Sequence, residues 1–247
     1  MSDLFENFCE YTNLAAAFRR VSESGGGPGA DHITIEKYAS ELDKNLHLLI
    51  DEIKTSSYAP KPIAKFKYKS PNSGKIRVLG IPSVVDRVVH TGLLNILEPI
   101  FEKEFLRCSY GYRPHKSALQ AAAKTEKFCK DNTVNYVFSA DIHAFFDSIN
   151  TGILNEKIAA HIKDKPLLNL LRLIIMNSAE DKDTGITLGA PTSPIFGNIY
   201  LNDFDKVIFK ESNSKYLRYA DDFTIFSDLE ENIYNLKDIS EKYLKKI

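Results

Sequence analysis

Lys215-Tyr216-Leu217-Arg218-Tyr219-Ala220-Asp221-Asp222-Phe223-Thr224-Ile225-Phe226-Ser227 is the stretch that decides the fold. Lys215 to Ala220 and Phe223 to Ser227 are dominated by aromatic and β-branched residues, which predicts two strands meeting at a tight Asp221-Asp222 corner. Paired acids are common in polar turns, so the dipeptide alone says little. Its setting says more, because a solvated hairpin between such apolar strands would more naturally turn on Asn-Gly or Asp-Gly.

A third acid stands 80 residues upstream, where a strand over Val134 to Ala140 ends at Asp141 and the apolar run Ile142-His143-Ala144-Phe145-Phe146-Asp147-Ser148-Ile149 follows. Carboxylates at strand ends are suitable ligands for magnesium, which prefers oxygen and typically takes one or two protein carboxylates plus substrate phosphates. In two-ion sites the metals lie about 3.5–4 Å apart and serve the attacking and leaving oxygens. Asp141, Asp221 and Asp222 would suffice to hold such a pair.

Outward from these acids the chain reads mainly as helices. Leu4, Phe8, Tyr11, Ala15 and Phe18 share one helical face, and Gly25-Gly26-Gly27-Pro28-Gly29 ends that helix. The glycine loop reads as a turn and not as a phosphate cradle, since no Gly-Lys-Ser/Thr follows. A second helix starts after Thr34 and runs past Ile53. Ile63 to Lys69, the turn cluster Pro71-Asn72-Ser73-Gly74 and Ile76 to Ile81 predict a hairpin. Further helices are expected at about Ser83 to Phe105, Lys116 to Lys130, Thr151 to His161, Pro166 to Asn177, Pro194 to Phe209 and from the last strand to Ile247.

The 247 residues carry 32 Lys plus Arg against 33 Asp plus Glu, a net charge of −1 that by itself argues against a basic coat for nucleic acid. Divided along the chain, the charge separates. Ile53 to Val85 holds seven basic residues (Lys54, Lys61, Lys65, Lys67, Lys69, Lys75, Arg77) and no acidic ones, leaving 25 basic and 33 acidic elsewhere. This basic hairpin suits phosphate binding and also reads as a simply solvated face. Hydrophobic residues at 43% exclude disorder for most of the chain, and the length fits one large domain or two small ones. Cys9, Cys108 and Cys129 lack disulfide or zinc spacing, the histidines show no paired ligand spacing, and the N-terminus lacks a basic leader. No apolar run approaches the ~18 residues of a membrane span. These features together read as a cytoplasmic protein without a membrane partner.

The ordered motifs resemble those of a known family. Ala140-Asp141-Ile142-x-x-Phe145-Phe146-Asp147-x-Ile149, Gly189-Ala190-Pro191-Thr192-Ser193-Pro194 with Asn198-x-Tyr200-Leu201, and Tyr219-Ala220-Asp221-Asp222 are similar to successive palm motifs of reverse transcriptases. The likeness is to the bacterial group II intron type and its retron, diversity-generating, CRISPR-associated and phage-defence relatives. It extends to Gly29-Ala30-Asp31, Lys75-Ile76-Arg77-Val78-Leu79-Gly80-Ile81-Pro82 with Asp86-Arg87, and Ser109-Tyr110-Gly111-Tyr112-Arg113-Pro114.

The resemblance implies an α+β right-hand polymerase, with fingers over 1–132 and a palm over 133–247 whose antiparallel sheet is of the ferredoxin-like, split βαβ type. It implies an RNA-directed DNA polymerase, a nucleotidyltransferase using two Mg²⁺ ions, with Mn²⁺ as a substitute. Asp141, Asp221 and Asp222 would be the catalytic metal ligands, joined by the Ile142 backbone carbonyl. Lys69 and Arg77 would hold the incoming triphosphate, with Lys75 a competing assignment. Phe146 would exclude a ribonucleotide 2′-hydroxyl, or else be a core aromatic beside Phe145. Gly189 and Ala190 would let backbone approach the base pair. Leu188 stands where the family usually has Gln, a departure shared with error-prone diversity-generating enzymes. Arg113 and Tyr112 would touch template or primer, a structural corner being an equal reading.

The implied partners are an RNA template, a DNA or RNA primer and dNTPs. The sequence stops at Lys245-Lys246-Ile247, before the family's thumb, so a structured non-coding RNA or a second protein or domain supplying the thumb is a further expected partner. The alternative is a weak or inactive reverse-transcriptase-like module that binds nucleic acid in a mobile-element or phage-defence system. A nucleotide cyclase or untemplated transferase on a similar palm is a third, weaker reading.

Overall fold

The computed structural model describes residues 4–69, 76–130, 133–179 and 183–247, and of Ile76 and Arg77 the backbone only. The turn cluster Pro71-Asn72-Ser73-Gly74 and Lys75 therefore lie outside the described residues. In chain order the elements begin with α1 (Leu4–Cys9), α2 (Tyr11–Ser24), α3 (Ile35–Ala39), α4 (Leu42–Lys54), β1 (Ala64–Lys69) and β2 (Ile76–Ile81). There follow α5 (Val84–Phe101), α6 (Ala118–Cys129), β3 (Tyr136–Asp141), α7 (Phe145–Ser148), α8 (Thr151–His161) and α9 (Lys165–Ser178). The chain continues with α10 (Ser193–Glu211), β4 (Tyr216–Tyr219), β5 (Asp222–Ser227) and α11 (Glu230–Leu244). The fold is thus a mixed one of helices and antiparallel sheet. No helix among the described residues is long and apolar enough to cross a membrane.

Three expected helices have different bounds. The first divides at Glu10 into α1 and α2, although Phe8 and Leu14 on either side both reach the core. The second divides at Ser40 and Glu41 into α3, capped by the Thr34 hydroxyl, and α4. The helix expected to reach Phe105 ends at Phe101, where the chain passes into a turn over 102–104.

The strands of the described residues form two antiparallel sheets. β1 and β2 form a ribbon running from Ala64 opposite Ile81 to Lys69 opposite Ile76. The other sheet has the order β3-β5-β4, so the strand after the acidic turn is central. Its register pairs Asp141 with Asp222 at one end and Tyr136 with Ser227 at the other.

α5 and α10 form the middle of the core. α5 buries Val84, Val88, Val89, Leu93 and Leu97, and α10 buries Ile195, Phe196, Ile199, Leu201, Phe204 and Ile208. The backbone of Gly197 in α10 lies against the Phe145 ring, where a Cβ would stand only 2.9 Å from a ring carbon. This contact seats α7 on α10. The glycine loop is a turn whose carbonyls at Gly25 and Gly27 accept hydrogen bonds from the Arg87 guanidinium at 3.0 and 2.9 Å. Carbonyls turned to a cation leave it unlike an anion cradle.

Candidate active site

The acidic corner forms one residue earlier than the sequence pattern predicts. Tyr219 pairs with Asp222, so the two loop residues are Ala220 and Asp221, and Asp222 is the first residue of β5. A two-residue hairpin needs positive φ at its first loop position, and Ala220 has φ +59°. This register gives the acids their places. Asp222 stands opposite Asp141 on β3, and the Asp221 carbonyl accepts from the Ile142 N–H at 3.2 Å.

One carboxylate oxygen from each of Asp141, Asp221 and Asp222 lies within 4.8 Å of the others. Asp141 and Asp222 are exposed and Asp221 is half-buried, so the cluster opens to solvent. Burial first, and the charge of Asp141 second, push the Asp222 carboxyl above its ordinary range. Three mutually repelling hard oxygen donors at an open sheet end match what a magnesium ion requires.

Two candidate nucleotide-contacting segments are joined through backbone. Phe146 is half-buried against Phe145, with ring centroids 5.1 Å apart, and its carbonyl accepts from the Ile186 N–H at 2.8 Å. On the far side of the same segment, the Leu188 carbonyl accepts from the Gly80 N–H of β2 at 2.7 Å. Gly189, at φ +111°, lies so close to Gly80 that a Cβ would be 2.6 Å from its carbonyl oxygen. Glycine is required there on both counts. Ala190 is buried and Leu188 half-buried. The base of the basic ribbon and the Leu188-Gly189-Ala190 segment are therefore one framework. Lys69 is exposed at the end of β1, and the register sets Arg77 opposite Tyr68.

Arg113 does not present its charge to a phosphate. Its side chain is 5% exposed; its guanidinium bonds both carboxylate oxygens of Glu102 and the carbonyls of Leu106 and Ser109. A buried guanidinium spent on four acceptors fits the structural corner, the other of its two expected readings. Tyr112, by contrast, is 52% exposed and lines a cavity of about 230 Å³ together with Pro191 and Pro194.

Sequence reasoning missed the groups beneath the acids. Arg218 of β4 and Asp205 of α10 form a buried ion pair under the turn, and Asn198 of α10 joins it. A charged residue between Leu217 and Tyr219 in an apolar strand was the available signal, the same one that singled out the aspartates.

The fold is similar over 99% of the chain to a solved chain of a partial Cas6-RT-Cas1–Cas2 complex, with a TM-score of 0.56, 19% identity and 42% of that chain covered. That likeness defines the class as the mixed helical and antiparallel fold of that chain. Residues 63–247 match the family described as reverse transcriptase (RNA-dependent DNA polymerase), and the chain belongs to this family. Protein YkfC of Escherichia coli (strain K12) is 32% identical over 207 residues, 79% of this chain and 54% of YkfC. The group II intron-encoded protein LtrA of Lactococcus lactis subsp. cremoris is 29% identical over 174 residues, 68% of this chain and 29% of LtrA. The retron Ec83 reverse transcriptase of Escherichia coli is 33% identical over 109 residues, 41% of this chain and 35% of that protein. The chain thus spans about half the length of YkfC and under a third of LtrA.

Proposed function

We propose that the chain is the fingers and palm of an RNA-directed DNA polymerase, with the boundary near residue 132, and that it extends a primer on an RNA template. The observation that carries this reading is the convergence of Asp141, Asp221 and Asp222 within 4.8 Å in a chain of the reverse transcriptase family.

Asp141, Asp221 and Asp222 would hold two Mg²⁺ ions, with the Ile142 carbonyl as a further oxygen. Bound there, the metal supplies Lewis-acid stabilisation of charge on the entering and leaving oxygens. The primer 3′-hydroxyl oxygen gives up its proton to solvent and bonds to the α-phosphorus of a dNTP in line, the bond to the bridging oxygen breaks, and pyrophosphate leaves with its electrons. Most of the acceleration in such transfers comes from positioning and preorganised charge. Lys69, Lys75 and Arg77 fit the triphosphate, the lysines as point charges and Arg77 through its planar fork. Phe146 fits the sugar and Gly189-Ala190 the base pair, while exposed Tyr112 is suited to stack on a template or primer base. The cytoplasm completes the reading.

The test is primer extension on RNA and DNA templates with Mg²⁺ or Mn²⁺, beside a variant carrying Asp221→Ala and Asp222→Ala. Extension on RNA that the double substitution abolishes is expected. Binding of primer-template without extension under every condition would overturn the polymerase reading.

A further inference from the structure

Ala220 immediately precedes the two turn aspartates, and its φ of +59° is one that a residue bearing a Cβ rarely adopts. Such a conformation persists only where the surroundings over-determine it. Here the carbonyl is held from below, where Arg218 Nη1 donates to the Ala220 oxygen at 2.7 Å and to Asn198 Oδ1 at 3.1 Å. The rest of the guanidinium is anchored as firmly. Nε and Nη2 donate to the two oxygens of Asp205 at 2.8 and 2.6 Å, and Nη2 also reaches Ser109 Oγ at 3.0 Å. These bonds occupy every donor an arginine has.

The amide side of Ala220 is held as well. Gly111 packs so closely on the Ala220 nitrogen that a Cβ there would overlap it, and the Gly111 carbonyl accepts from Asn198 Nδ2 at 2.9 Å. Asp205 takes a further bond from the Tyr216 hydroxyl at 2.7 Å, and the Arg218 and Asp205 side chains are each 1% exposed. A buried ion pair is seldom more stabilising than apolar residues of the same size. Its distinctive contribution here is directional, because only a forked cation can bond Asp205 and the turn carbonyl together.

We infer that Arg218, fixed by Asp205, is the positioning residue of the metal centre, holding Ala220 in its left-handed conformation so that Asp221 and Asp222 face Asp141. The inference rests on the reading of these three aspartates as metal ligands. Without Arg218, the positive φ that the two-residue hairpin requires loses its support from below, and the approach of the two acids to β3 is no longer fixed.

The test is Mn²⁺ binding to the full chain, followed by electron paramagnetic resonance, with a thermal melt of each variant to establish folding. Arg218→Lys keeps the charge but not the fork, and its Mn²⁺ dissociation constant is expected to rise about tenfold. Adding Ala220→Gly to Arg218→Lys is expected to recover most of that loss, since glycine takes positive φ without penalty. Ala220→Val leaves the ion pair in place but opposes the left-handed turn, and it too should weaken Mn²⁺ binding. Wild-type affinity in Arg218→Lys or Ala220→Val would overturn the inference, as would a loss in Arg218→Lys that glycine does not relieve. Absence of Mn²⁺ binding by the wild type would instead bring down the metal reading, and the inference with it.

Discussion

Asp141 and Asp222 face each other directly across the β3–β5 ladder, as Cα partners at its end. Burial and the opposing charge make the ionised form of Asp222 costly in the folded chain. A carboxyl raised by folding binds its proton more tightly folded than unfolded. Its contribution to stability is therefore favourable at low pH and is lost as pH rises through the raised value.

Asp222→Asn should therefore relieve repulsion at neutral pH. Without metal the variant is expected to melt no lower than the wild type, with a gain below about 1 kcal/mol because the site is largely open to solvent. Mg²⁺ should raise the melting temperature of the wild type and leave that of the variant unchanged. Equal Mg²⁺ shifts in thermal melts of the two proteins would count against ligation by Asp222.

On the proposed reading Leu188 replaces a glutamine that would help orient the incoming nucleotide, while its carbonyl accepts from the Gly80 N–H. Leu188→Gln should leave that backbone bond intact and reduce misincorporation. Sequencing of extended products gives the measure, and an unchanged error spectrum would remove the link between Leu188 and low selectivity.

Phe146 packs beside Phe145, with its backbone tied to Ile186. If its ring excludes a 2′-hydroxyl, Phe146→Val should lower discrimination between dNTP and rNTP by about 10–100-fold. The ratio of single-nucleotide incorporation efficiencies checks this. A parallel loss for both nucleotides would identify Phe146 as a core aromatic only.

His90, on α5, is fully buried, and burial pushes its imidazole down to about 4. Its Nδ1 pairs with the Thr192 hydroxyl at 2.7 Å at the start of α10. A histidine whose pKa is depressed by folding contributes stability above the ordinary value near 6.5, and that stability is lost as pH falls toward 4. The loss due to His90 between pH 7 and 5 is about 2 kcal/mol. Denaturant melts should show a flatter acid limb in His90→Gln than in the wild type. Parallel limbs would mean that acid sensitivity arises elsewhere.

The legibility of this chain in its sequence varied with the physical origin of each feature. The three aspartates stood out because acids among apolar strand residues demand a reason, and the β3–β5 register brings them together. The exact corner was less legible, because Ala220 takes a positive φ that an alanine does not advertise. The break at Glu10 was hidden because the apolar stripe continues through it to Leu14. Two of the buried arginines were hard to place from sequence. Arg113 lies in an irregular segment that looks open, yet it is enclosed by Glu102 and two carbonyls. Arg218 drew no reading of its own within its strand, yet it forms a buried ion pair with Asp205 and bonds the Ala220 carbonyl.

The order β3-β5-β4 also has a kinetic meaning. The contacts that assemble the acids join Asp141 to a strand that begins at Asp222, so loop closure over some 80 residues must precede any ladder bond between them. During synthesis, β3 emerges with its partner still unmade. The nascent chain carries Asp141 as an isolated acid until β5 has left the ribosome, and the capacity to concentrate three carboxylates arises in a single late closure.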